Sequence, residues 1–426
     1  MDLLKQTFQS FGPTWNRFPV FRLYVVLVFA AVIFQCIQGV LLIDSYEYMN
    51  SAKNLSDLQG WDCCYQGNLC DVLFHQTRRT PGYPLYLMLS GNGLVSRIIQ
   101  CIPAVLVPLL SLRLLAHFTT HSGAARLLLW FLLLYPLQYY YSSLIMPEIW
   151  VQFFLLWLAL SLFEKRYAVS VVLACVLALF KPIFLPFLFL SPLLYIVLSA
   201  RQKWVVFIPL LVYLAVGFAN KNKTGVFHYT SMGTVNAWDY NARAVLNKTE
   251  GAEKAGAKFA LQDSIVRSLS FSEGLDYLGA QTQNVILSNL PLYAYLHIRG
   301  ALFTLLDPGR YDFIAWWGLP EGTGLMGIKG GAGLTAFLRQ PPLYLVYMIL
   351  FLLLGSIKLL LALISVFSRA RYQRVWILLF LIIVPLSMVG PVGSARYLMP
   401  VAPIICILAA LGATHFNPKE YENTAR

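Results

Sequence analysis

The sequence predicts an all-α, polytopic membrane protein with about ten transmembrane helices. Three observations carry that expectation. Of 426 residues, 58% are hydrophobic and only 12% are charged, whereas a soluble domain carries about twice that charged share. Mean hydropathy is +0.64. Apolar runs approaching the roughly 30 Å of bilayer hydrocarbon recur along the chain, and short basic clusters separate them. The net charge of +13 is therefore not a nucleic-acid footprint. Clusters such as Arg201/Lys203 and Arg369/Arg371/Arg374 lie between apolar runs, the pattern of basic loops held on the cytoplasmic side.

The first run, Val20–Ile43, is too long for a signal h-region and lacks a small-residue cleavage site, so it reads as a retained span. Lys5, Arg17 and Arg22 ahead of it place the N-terminus in the cytoplasm and the loop 44–80 outside. Leu94–Ala116, Ala124–Leu144 and Trp150–Phe163 follow, with Arg113, Arg126, Lys165 and Arg166 inside and Glu148 outside. Tyr167–Ser199 is broken at Lys181-Pro182. Read as two short spans, Tyr167–Phe180 and Ile183–Ser199, it keeps Arg201 and Lys203 inside and puts Lys181 outside.

Trp204–Ala219 precedes the longest polar region, Asn220–Asn289, which is expected outside as a small ordered domain or lid. Leu290–Leu306 is apolar but contains His297 and Arg299. As a full span it would force Arg369, Arg371 and Arg374 outside, so it is expected along the outer surface. The glycines of Gly318–Gly333 match no phosphate-cradle spacing. Leu343–Val366, Val375–Val389 and Leu398–Ala413 complete the set, leaving Arg396 outside and the tail 419–426 inside. The chain thus divides into an N-terminal membrane module (1–219, with the first outer loop at 44–80), a larger outer region (220–341, with the surface helix at 290–306) and C-terminal membrane helices with a short tail (342–426).

Charged residues gather on the expected outer side. Asp44 and Glu47 share a face if the first helix runs one turn further, and could serve as a general base or hold a cation. A charge costs roughly 2.5–3.5 kcal/mol at the centre of a span and less at its edge. Arg78 and Arg79 close the same loop, and guanidinium is the natural partner of phosphate. Each charge also has an ordinary reading. Glu148 opens a helix where the macrodipole favours an acid, and Arg78, Arg79, Lys181 and Arg396 could snorkel to lipid headgroups. Cys36, Cys101, Cys175 and Cys406 lie in apolar runs as packing residues. Cys63 or Cys64 could bridge to Cys70 in an oxidising compartment. His75 and His297 are isolated, Asp307-Pro308-Gly309-Arg310 reads as a turn, and the glycosylation sequons at Asn54, Asn222 and Asn247 are short, unspecific matches.

The ordered set Asp44-Ser-Tyr-Glu47-Tyr, Arg79-Thr-Pro-Gly-Tyr-Pro, Met-Pro-Glu148, Lys181-Pro and Arg396-Tyr-Leu-Met-Pro400 resembles the GT-C superfamily of glycosyltransferases. Within it the likeness is to the protein O-mannosyltransferase and lipid A aminoarabinose transferase group (glycosyltransferase family 39). The resemblance implies a GT-C-like fold in the cell (inner) membrane. It also implies transfer of a sugar from a polyprenyl-phosphate donor to a hydroxyl of a glycolipid, cell-envelope glycan or protein at the outer face, with inversion. Asp44, Glu47 and Glu148 would then be the catalytic acids, and Arg78, Arg79, Lys181 and Arg396 the donor-phosphate contacts. The resemblance fixes no cofactor, and a divalent metal ion on Asp44 and Glu47 is compatible with it. The familiar Asp-Glu pair is here spread to Asp44 and Glu47, and the soluble C-terminal domain of larger members has no counterpart in this sequence. The rival classes are a transporter or flippase of a lipid-linked or anionic substrate, and a polymerase or ligase of lipid-linked glycan. A transporter predicts mid-membrane charges and two related halves.

Overall fold

The computed structural model describes residues 19–63, 77–91, 93–198, 203–319, 340–369 and 373–414. Among them helices and turns account for the backbone, and no strand occurs. Helix α1, Pro19–Gln38, is apolar around its whole circumference. It stops short of the expected Ile43 for a local reason. Gly39 adopts φ +69°, the left-handed geometry that ends helices, and donates to the Gln35 carbonyl at 2.9 Å. Arg97 also donates to the Gln35 carbonyl at 2.7 Å and to that of Val40 at 3.2 Å, placing a cation at the negative end of the helix. A separate helix, α2 (Ile43–Ser56), begins beyond the break.

Helices α3 (Gly82–Ser90) and α4 (Leu94–Ala116) follow, the latter with the expected bounds. Pro108 inside α4 has no N–H for the Ala104 carbonyl; the Tyr24 hydroxyl of α1 donates to it instead at 2.9 Å. The expected span Ala124–Leu144 is divided. Pro136 separates α5 (Ser122–Leu133) from α6 (Leu137–Ser143), and α6 meets α7 (Glu148–Phe163) at a bend of 113°. Helix α8 (Tyr167–Phe180) has the expected bounds and ends before Lys181-Pro182; α9 (Leu185–Leu198) and α10 (Phe207–Thr224) follow.

The polar region folds into α11 (Met232–Asn236), a π turn at Ala237–Ala242, α12 (Arg243–Thr249), α13 (Ala252–Arg267) and α14 (Phe271–Leu287). These share a small core around Trp238, Leu246, Phe259, Phe271 and Leu278. Ser270 and Glu273 close a capping box at the start of α14. The chain continues through α15 (Leu290–Leu306), α16 (Arg310–Trp316), α17 (Pro342–Arg369), α18 (Gln373–Ser387), α19 (Ala395–Leu398) and α20 (Ala402–Thr414).

Four helices among the described residues are long and apolar enough to cross a membrane, or five if the bent pair α6–α7 is one span. Helix α17 makes the case plainly: its mean hydropathy is 2.6, yet only 11% of that window is buried in the protein. Such a surface needs hydrocarbon around it. The remaining apolar helices run 10–17 residues, so each needs flanking residues or a thinned bilayer to cross. The figure of about ten spans depends on them. Lys5, Arg17, Arg201, Arg371, the tail 419–426 and most of Gly318–Gly333 lie outside the described residues.

Helix α20 is buried along nearly its whole length and packs on α17, α5 and α4. Gly412 makes the closest approach: a Cβ there would overlap the Leu361 carbonyl of α17. Gly412→Ala should therefore cost about 1–3 kcal/mol by forcing the helices apart. A melting temperature in detergent equal to that of wild type would show the contact to be slack.

Candidate active site

The seven charged residues expected to form the site lie in one network, assembled at helix ends and breaks. The first turn of α2 puts Asp44 and Glu47 on a common face, three residues apart. They share that face through a fresh helix, not through the extension of α1 that the sequence suggested. Leu42 N–H donates to the Ser45 hydroxyl at 3.1 Å, which fixes the start of α2.

Arg78 and Arg79 precede α3, and a neighbouring segment secures their backbone. The Thr230 hydroxyl donates to the Arg78 carbonyl at 2.9 Å, and Ser231 N–H donates to the Thr77 carbonyl at 3.2 Å. Thr77 Oγ1 also pairs with His228 Nε2 at 2.8 Å. Gly82 opens α3 beside the end of α8, where a Cβ would meet the Leu179 carbonyl at 2.7 Å.

Glu148 is the first residue of α7 and is 0% exposed. The turn before it is tied by Gln100, whose amide donates to the Leu144 carbonyl at 2.8 Å and accepts from the Tyr83 hydroxyl at 2.6 Å. Lys181 stands between α8 and Pro182. Arg396 sits on the short α19, and α15 holds that segment in place. Ser394 N–H donates to Thr304 Oγ1 at 3.1 Å, and Ala395 N–H donates to Asp307 Oδ2 at 3.1 Å. Neither Gly300 nor Gly393, where the two segments cross, has room for a Cβ.

Charges of alternating sign result. Glu47 binds Arg78 at 3.3 Å and Arg79 at 2.6 Å; Arg79 also binds Asp44 Oδ1 at 2.6 Å. Arg396 joins Asp44 Oδ2 to Glu148 Oε1, and Lys181 binds Glu148 at 2.9 Å. Four cations face three carboxylates, so the set carries one surplus positive charge if all are ionised. Asp44 and Arg396 form the accessible edge, with side chains 21% and 22% exposed. Burial alone would raise the Asp44 carboxyl, but the charges of Arg396 and then Arg79 reverse that and hold it well below the usual range.

Two tyrosines complete the site, and only the motifs around the charges signalled them. Arg79 lies over the Tyr48 ring at 4.7 Å, and Lys181 over that of Tyr397 at 5.4 Å. Two acids were misjudged or missed. Asp307 is a turn residue, accepting from Gly309 N–H at 3.1 Å, but its other oxygen anchors the Arg396 segment. Asp312 on α16 is buried and accepts from the Tyr141 hydroxyl. Burial pushes its carboxyl from 3.8 up to about 6, with Tyr141 opposing and the Asp307 charge adding.

The remaining sequence features have ordinary places. Asp44 and Glu47 direct their oxygens to guanidinium groups, and no cluster of three or more metal-binding side chains occurs among the described residues. Cys63 is buried, which pushes its thiol up to about 12 with the Glu47 charge adding; Cys64, Cys70 and His75 lie outside the described residues. His297 bonds the Ser387 carbonyl at 2.8 Å. Asn54 is buried and donates to the Asp62 carbonyl, so its sequon is not presented to solvent.

No known family and no curated protein matches the chain. Among solved structures it is similar to the archaeal oligosaccharyltransferase AglB from Archaeoglobus fulgidus, in complex with an inhibitory peptide and a dolichol-phosphate. The TM-score is 0.45 at 12% identity, with 96% of this chain and 52% of that one covered. The chain thus spans about half the length of that structure, and at this level of superposition the likeness decides neither fold nor chemistry.

Asp312 gives a pH test of the architecture behind the site. Between about pH 4 and about pH 6 the native chain binds more protons there than the unfolded chain, so this contribution to stability falls as pH rises. Asp312→Asn should abolish that fall, and its melting temperature relative to wild type should improve across the same window. A pH-independent difference would return the carboxyl to its ordinary range.

Proposed function

We propose that the chain is an integral membrane glycosyltransferase. It moves a sugar from a polyprenyl-phosphate donor to a hydroxyl acceptor at the outer face, with inversion at the sugar carbon. The supporting observation is the network itself: Asp44, Glu47 and Glu148 interleave with Arg78, Arg79, Lys181 and Arg396 at interrupted helix ends, with one positive charge in surplus. Such a set suits a phosphate joined to a sugar.

The donor phosphate accepts hydrogen bonds from Arg79 and Arg396, with Lys181 behind them. As the bond between the sugar carbon and the phosphate oxygen breaks, its electron pair stays on that oxygen, where the guanidinium charges stabilise it. The acceptor hydroxyl attacks from the opposite face, and its proton passes to Asp44. Glu47 and Glu148 hold the cations in place. In the resting network both Asp44 oxygens are engaged, which makes Asp44 a weak base. Donor phosphate competes for the same guanidinium groups. Drawing Arg396 aside exposes Oδ2 and restores its basicity, so donor binding precedes acceptor activation. The acceptor is a hydroxyl of a glycolipid, envelope glycan or protein.

The test is an assay of the detergent-purified chain with radiolabelled polyprenyl-phosphate sugars and hydroxyl acceptors. Asp44→Asn should lower transfer by about 10²–10⁴-fold while leaving the protein folded; full activity in that variant would remove Asp44 from the chemistry. Arg79→Ala should raise the apparent donor KM roughly tenfold or more, and an unchanged donor dependence would take Arg79 out of the phosphate site.

A further inference from the structure

A second group of polar side chains lies behind α19. A cavity open to the outside is lined by Tyr135, Asp307, Phe351, Lys358, Leu398 and Cys406, among others. Lys358 is the only charged residue between Pro342 and Ser368, on the helix most exposed to hydrocarbon. A cation at such a position is costly, and in membrane proteins it marks a functional contact.

Lys358 has no carboxylate within ion-pair distance among the described residues; its ammonium lies 4.7 Å from the centre of the Tyr135 ring. Asp307, the acid on the same cavity, already accepts from the backbone N–H groups of Gly309, Arg310 and Ala395. Tyr135 adds an independent sign. It is 6% exposed, and its hydroxyl has no hydrogen-bond partner among the described residues. A buried hydroxyl without a partner is rare in a settled core. A cation without an ion-pair partner and a residue with an unpartnered phenol thus line one space, beside an acid most of whose acceptor positions are already taken. The rest of its wall, including Leu305, Leu359 and Ile405, is apolar.

We infer that this cavity binds the phosphate group of an amphiphile, with Lys358 and Tyr135 donating to the phosphate oxygens and the apolar wall meeting the hydrocarbon chain. A phosphate supplies Lys358 with an ion-pair partner and Tyr135 with an acceptor, Asp307 being committed to backbone N–H groups, and a chain attached to it can leave along the exposed flank of α17. This site is separate from the Asp44 network and does not depend on the transferase reading.

Native mass spectrometry of the detergent-solubilised full chain tests it, with separate titrations of farnesyl phosphate, dioctanoyl phosphatidic acid, farnesol and inorganic phosphate. At least one phosphate amphiphile should form a saturable adduct, and the better of the two identifies the source as isoprenoid or phospholipid. Lys358→Met keeps an unbranched side chain one atom shorter and removes the charge; it should weaken that adduct about tenfold or more. Tyr135→Phe keeps the ring and deletes only the hydroxyl, and should weaken it about three- to tenfold. Arg79→Ala should leave this adduct intact, whereas a phosphate held by the Asp44 network would be lost in Arg79→Ala and kept in Lys358→Met. The inference is overturned if both cavity variants titrate like wild type, if farnesol binds as tightly as the phosphates, or if neither phosphate amphiphile binds.

Discussion

The pairing of Arg396 with both Asp44 and Glu148 is the interaction on which the polar centre depends. It joins residues 352 and 248 positions apart and connects the first turn of α2, the start of α7 and the short α19. Removing the guanidinium would leave two carboxylates short of a partner, one of them fully buried, and breaking a buried pair costs about 3–5 kcal/mol. The supports of Arg396 follow from that cost. Thr304 and Asp307 fix the backbone before it, and the glycines at 300 and 393 let α15 cross that backbone at a distance no side chain would permit.

The charged residues share a structural address as well as a pairing scheme. Asp44 opens α2, Arg78 and Arg79 precede α3, Glu148 opens α7, Lys181 follows α8, and Arg396 lies on a four-residue helix. Continuous apolar helices satisfy their own backbone and have no use for ions along their flanks. Where a helix stops, carbonyl and N–H groups are released and polar side chains can be accommodated at little extra cost. Chain breaks and buried charges therefore coincide here. Pro81, Pro136, Pro147 and Pro182 help to place the breaks.

That coincidence explains which parts of the protein were legible in its sequence. Charges stand out against an apolar background, so all seven ionic residues could be named before any geometry was known. The bounds of α4 and α8 were equally plain, because each is flanked by its own stop signals. The end of α1 was placed too late although its stop, Gly39, is local; the cation that caps it, Arg97, lies 62 positions from Gln35 and gave no help. The division of Ala124–Leu144 was missed, although Pro136 and the more polar stretch beyond it, with Gln138, Ser142 and Ser143, mark the place. Asp312 and the anchoring role of Asp307 escaped because their partners, Tyr141 and Ala395, lie 171 and 88 positions off. Local pattern reports helix type and charge; long-range partners decide which acid does more than turn the chain.

Asp307 also links the two polar regions. One side chain lines the cavity that contains Lys358 and Tyr135 and holds the N–H group of Ala395, next to Arg396. Leu398, two residues beyond Arg396, lines the same cavity. The segment that carries Arg396 therefore also forms part of the cavity wall. Packed interiors respond to strain by shifting whole elements, not by local compression. The short α19 and the loop before it are the natural elements to shift, because they are held to α15 by two hydrogen bonds and a glycine crossing. The ionic network and the wall of the neighbouring cavity thus share a common segment of backbone.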